Sequence, residues 1–178
     1  DGIELVGQNN NGFVLSNTTI DAAEDAIQLY NTFNSGVSIS DSTLNAPNGI
    51  ALYFMGHVYN GLMLSGVNLE AERGLYVAYS VTGGMNLTNT TIVSTGTTAY
   101  NDGIYIGGQL NGGMNIVSSK ITSARYGMYF ASAVTNGLSM TDVTIDAYNT
   151  AINFVSTISG GVTLDTLKLT SENNRGIN

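Results

Sequence analysis

Apolar and polar residues alternate in short bursts along this chain, and the bursts return at a nearly constant interval. The first kind opens on a small residue followed by apolar, polar and apolar positions: GIEL at Gly2, AIQL at Ala26, GIAL at Gly49, GLYV at Gly74, GIYI at Gly103, GMYF at Gly127, AINF at Ala151 and a last GIN at Gly176. Successive starts lie 24, 23, 25, 29, 24, 24 and 25 residues apart. A second burst follows: GFVL at Gly12, GVSI at Gly36, GLML at Gly61, GMNL at Gly84, GMNI at Gly113, GLSM at Gly137 and GVTL at Gly161. It begins ten residues after the first, except in the third repeat, where the gap is twelve. Five residues after its second apolar position comes a third aliphatic point, at Ile20, Leu44, Leu69, Ile92, Ile121, Ile145 and Leu169, each followed two residues later by Ala or Ser. Alternation with period two puts the apolar members of a strand on one face. Each repeat therefore reads as three short strands with their apolar side chains turned inward.

Stacking such repeats at about 4.8 Å brings like positions into columns. One inward column is Ile3, Ile27, Ile50, Leu75, Ile104, Met128 and Ile152; the next is Leu5, Leu29, Leu52, Val77, Ile106, Phe130 and Phe154. The pattern predicts an all-β fold, a right-handed parallel β-helix of about seven coils of some 24 residues, forming one domain over 1–178. The spacing of a leucine-rich repeat is absent, and so is the six-residue beat of a left-handed hexapeptide helix. Two excursions interrupt the regularity: a two-residue insertion assigned to Met55–Asn60, and a larger one at Thr95–Asp102. No capping segment is evident at either end, which suggests a slice of a longer solenoid or a subunit that stacks.

Composition fits this interior. Hydrophobic residues make up 43% and charged residues only 10%, so the skin must be largely Asn, Ser, Thr and Gly. With 22 Gly and one Pro, tight turns between strands are favoured over helices. A net charge of −8 with five basic residues opposes nucleic-acid binding, which depends on Lys and Arg. The absence of cysteine removes disulfides and thiolate chemistry. No apolar run reaches the length of a membrane span, so no membrane insertion is expected of this segment. Any targeting signal is expected to lie outside it.

Segments such as GVSISDSTLNAPNGIALY and GMNLTNTTIVS resemble coils of the right-handed β-helix, or pectate-lyase-like, superfamily, and among its members the passengers of pertactin-type autotransporters. The resemblance covers the whole chain and is specific for fold. It implies an exported, cell-surface location and a structural or adhesive role without enzymatic activity or cofactor. A self-assembling filament subunit and a fragment of a polysaccharide-active enzyme are the alternatives. Enzymes that share the fold resemble one another in grouping carboxylates on one outward face. Here Asp21 and Asp146 share a column but lie five coils apart, about 24 Å, too far for paired acid–base work.

The candidate binding surface is aromatic. Tyr76, Tyr105 and Tyr129 fall at one outward position of consecutive coils, with Tyr30, Tyr53, Phe54 and Tyr79 at neighbouring positions. Such a strip serves either as a docking face for a glycan or a host or matrix protein, or as stacking that stabilises the sheet. Lateral or end-to-end self-association is a further possibility. The insertions add His57, Tyr59 and Tyr100 as loop candidates. Asp21, Glu24 and Asp25, with Glu70 and Glu72 two coils on, form the best acidic group and a weak calcium candidate, whereas solvated turn charges are the commoner reading. A further column, Asn17, Asp41, Gly66, Asn89, Ser118, Asp142 and Thr166, marks a turn in every coil.

Overall fold

The computed structural model describes residues 1–7, 11–96 and 101–178, and among these it is all β. Every strand pairing is parallel, and the partners lie about one repeat apart, so the chain winds as a parallel β-solenoid of about seven coils. Several strands turn a corner without losing their pairing: Met114–Ser123, Leu138–Ala147 and Val162–Ser171 join the second burst to the third, while Thr43–Phe54 and Asn68–Val77 carry the third into the first. The three faces are therefore one continuous hydrogen-bonded ribbon. A parallel ladder buried on its inner side needs aliphatic and aromatic side chains in register, and that is what the columns supply.

The first-burst register runs Ile3, Ile27, Leu52, Leu75, Ile104, Met128 and Ile152, with Leu5, Leu29, Phe54, Val77, Ile106, Phe130 and Phe154 beside it. This corrects the third coil. The inward pair there is Leu52 and Phe54, not Ile50 and Leu52, and Ile50 instead stands opposite Arg73. A slide of two residues keeps every side chain on its own side of the strand, so alternation alone could not separate the two registers. With Ala51 as the opening small residue, the second burst starts ten residues later in this coil as in the others. The irregularity sits upstream, between Ala46 and Ile50, where the pairing slips around Pro47. A proline, which has no N–H for the ladder, is tolerated at such a break. There is accordingly no insertion at Met55–Asn60. His57 lies on an ordinary stretch of coil, its carbonyl accepting from the Phe33 N–H at 2.9 Å.

A fourth column, not read from the sequence, completes each coil. Phe33, Val58, Val81, Leu110, Val134 and Ile158 bridge one another in parallel from coil to coil. Each follows the second inward residue of the first burst by four positions. A single apolar residue flanked by polar ones has no period, which is why it escaped notice. Phe33 and Val58 are fully buried, and with Phe54 and Phe130 they fill the widest part of the cylinder.

The corners explain the turn residues. Asn17, Asp41, Gly66, Asn89, Ser118, Asp142 and Thr166 all take a left-handed backbone, with φ between 47° and 65°. Asn and Asp tolerate that region better than other side chains, because a short polar group can bond locally. On the opposite side, Gly84 and Gly137 also have positive φ, and a methyl group on Gly84 would come within 2.7 Å of the Gly112 carbonyl oxygen. Glycine is required there by both backbone shape and close stacking. In the last coil, Val162 and Leu164 stay exposed, since no further strand of this chain covers them.

Candidate functional site: a tyrosine ladder between two arginines

The outward position of the first-burst strands reads Glu4, Gln28, Tyr53, Tyr76, Tyr105, Tyr129 and Asn153. The corrected register thus places four tyrosines, not three, in consecutive coils. Tyr53 and Tyr76 meet edge to face, with centroids 5.1 Å apart and planes at 84°. Tyr76 and Tyr105 stack at 4.5 Å and 14°, and Tyr105 and Tyr129 at 5.5 Å and 4°. Parallel rings this close cannot lie side by side in one plane, so their faces overlap along the solenoid axis. What they turn to solvent is mostly ring edge and phenol hydroxyl. All four side chains are half-buried. Burial is the main reason that the phenol pKa is raised in Tyr53, Tyr76 and Tyr105.

Two arginines border the ladder. Arg73, Tyr76, Tyr105, Arg125 and Tyr129 line a shallow groove of about 330 Å³. The Arg125 guanidinium lies 4.4 Å from the centroid of Tyr126 and 5.5 Å from that of Tyr129, while the Tyr126 and Tyr129 rings are themselves 5.2 Å apart. It is held from beneath by Asp102, whose carboxylate accepts from Arg125 Nε at 2.8 Å and from Nη2 at 3.2 Å. The Asp102 side chain is 1% exposed and that of Arg125 20%. Burial pushes the Asp102 carboxyl up to about 6, against the opposite pull of Arg125 and of the Tyr126 N–H. Arg125 is therefore fixed in place as well as charged.

Other candidates fall into place around this face. Tyr30 donates from its hydroxyl to Gln28 Oε1 at 2.6 Å and is exposed. His57 packs against Tyr59 at 6.0 Å and Tyr79 at 5.2 Å, a small second aromatic group on the turn that follows. Phe54 does not belong to the surface: it is fully buried in the inward column, because the register moved by two. Tyr100 lies outside the described residues.

The acidic group is dispersed into structural bonds. Asp21 accepts from the Asn45 side-chain amide, and Asp25 accepts from the Ile50 N–H at 2.6 Å and from the Gln28 amide. Asp25 and Asp102 occupy one position of the repeat, two residues before the first inward apolar side chain, and both receive a backbone N–H from the coil above. Among the described residues no three His, Asp or Glu side chains come together to hold a metal ion, which corrects the calcium candidate Asp21, Glu24 and Asp25.

Arg73, Arg125, Asp102 and Tyr126 were not singled out by sequence reasoning. Their signal is positional: each arginine stands just ahead of a tyrosine-bearing burst, as Arg73-Gly-Leu-Tyr76 and Arg125-Tyr-Gly-Met-Tyr129. A second concavity, of about 350 Å³, follows the glycine corner past Gly84, Gly113 and Gly137 beside Asn86 and Asn115, and no ionisable side chain lines it. No protein-family model, curated protein or solved structure matches this chain.

Proposed function

We propose that this chain is a non-enzymatic structural and adhesive module of an exported cell-surface protein, with the tyrosine ladder as its docking face. The observation that carries the reading is the run of Tyr53, Tyr76, Tyr105 and Tyr129 in four consecutive coils, edged by exposed Tyr30 and Tyr79. A strip of half-exposed aromatics on a skin otherwise made of small polar residues concentrates contact area where rings are already held rigid. Stacking also stabilises the sheet, by about 0.2–1 kcal/mol per pair. That contribution does not call for a bordering pair of arginines. A non-catalytic role is supported by the carboxylates, since Asp21, Asp25 and Asp102 are each bonded into the scaffold. An extracellular setting is supported by the lack of cysteine and the small share of charged residues. The partner is a glycan or a host or matrix protein.

The test is a screen of glycans and matrix proteins with the unmodified chain and with a variant carrying Tyr76→Ser, Tyr105→Ser and Tyr129→Ser. Selective binding that disappears in the variant, with the β-sheet circular dichroism retained, is the expected result. Full binding by the folded variant would overturn the proposal.

A further inference from the structure

Resting on the reading of the ladder as a docking face, we propose that its ligand is an acidic polysaccharide laid along the solenoid axis, its anionic groups held by Arg73 and Arg125. The stacking geometry is the starting point. Because Tyr76, Tyr105 and Tyr129 cover one another's faces, a ligand meets ring edges, which carry the positive part of the aromatic quadrupole, and hydroxyls able to donate. Such a surface favours oxyanions over the apolar face of a neutral sugar.

Charge points the same way. The chain carries a net charge of −8 with only five Lys and Arg, yet two of these line this one groove. Asp102 offsets one of them from below, which leaves the groove positive in an otherwise acidic molecule. Its two bonds to Arg125 fix the guanidinium plane before any ligand arrives, so less side-chain freedom is lost on binding. Arg73 and Arg125 introduce strands two rungs apart on the ladder, about 10 Å at strand spacing. That is the length of a disaccharide, so one acidic group per disaccharide would meet both cations.

A glycan suits the face better than an acidic peptide. A polymer running along the axis crosses the strands instead of lying beside one, and a peptide there would find no strand edge to satisfy its main-chain groups. The hydroxyls of a sugar, by contrast, can pair with the row of phenols.

The experiment is titration calorimetry of the whole chain with hyaluronan and heparin octasaccharides, a neutral dextran oligosaccharide and poly-glutamate, at low and moderate salt. Binding of at least one acidic octasaccharide, weakening with salt, without binding of dextran, is expected. Arg73→Gln should weaken it by about tenfold or more. Because Arg125→Gln alone strands Asp102, the second variant is the pair Asp102→Asn with Arg125→Gln, checked for folding by circular dichroism, and it too should lose tenfold. Failure of both acidic glycans to bind, equal binding by poly-glutamate, or indifference to both arginine variants overturns the proposal. Should a neutral glycan or a matrix protein bind in a tyrosine-dependent way instead, the docking face stands and this assignment of its ligand falls. Should no ligand depend on the tyrosines, both fall.

Discussion

Asp102 links the scaffold to the candidate site, receiving the Tyr126 N–H of the next coil on one side and the Arg125 guanidinium on the other. Its carboxyl sits at about 6 instead of 3.8, chiefly because it is buried, with Arg125 and Arg73 pulling the other way and Tyr76 and Tyr105 close by. The folded chain thus holds this proton more tightly than the unfolded chain does. Its contribution to stability is full below about pH 4 and is lost as pH rises through about 6. Melts between pH 4 and 7 should show Asp102→Asn, which keeps an oxygen for the Tyr126 N–H, losing that part of the slope; an unchanged slope would contradict the assignment. At pH 7.5, Arg125→Gln should cost on the order of 3 kcal/mol, because it leaves a buried carboxylate unpaired, and the loss should shrink toward pH 5 as Asp102 takes up its proton. A constant loss across that range would mean that Arg125 stabilises through packing alone.

At the scale of the element, the register of the third coil decides which side chains reach the surface. Phe54 is inside and Tyr53 belongs to the ladder only if Ala51 opens that strand. Phe54→Ala should therefore destabilise the chain by about 3–5 kcal/mol, the usual loss for a buried phenylalanine, as read from denaturant midpoints. A change within about 0.5 kcal/mol, typical of a surface position, would restore the earlier register. The strands themselves were legible in the sequence, since alternation reports facing directly, and the turn column was legible because Asn and Asp favour left-handed backbone. What alternation could not report is any displacement by an even number of residues, hence Ile50 and the misplaced insertion around His57. Nor could it find the Phe33 to Ile158 column, whose members stand singly. Tyr76, Tyr105 and Tyr129 were found as a strip because they repeat. Arg73 and Arg125 escaped because they occupy adjacent, not identical, positions of the repeat and become neighbours only across stacked coils.

For the whole molecule, a regular solenoid separates two tasks. The inward columns hold the cylinder together coil by coil, so outward positions are open to any residue that tolerates a strand. Most are small and polar, and the exception is one lane of tyrosines with an arginine two rungs from another. If that lane is where the molecule binds, sensitivity to substitution should be local and graded along it. The decisive measurement is the affinity of single Tyr→Ser variants at Tyr53, Tyr76, Tyr105 and Tyr129 for whichever ligand the intact chain captures, with Tyr148, an exposed tyrosine away from the ladder, as reference. Losses greatest at Tyr105 and Tyr76, smaller at the ends and absent at Tyr148 are predicted. Equal losses at Tyr148 and Tyr105, or none at any ladder position, would contradict the account.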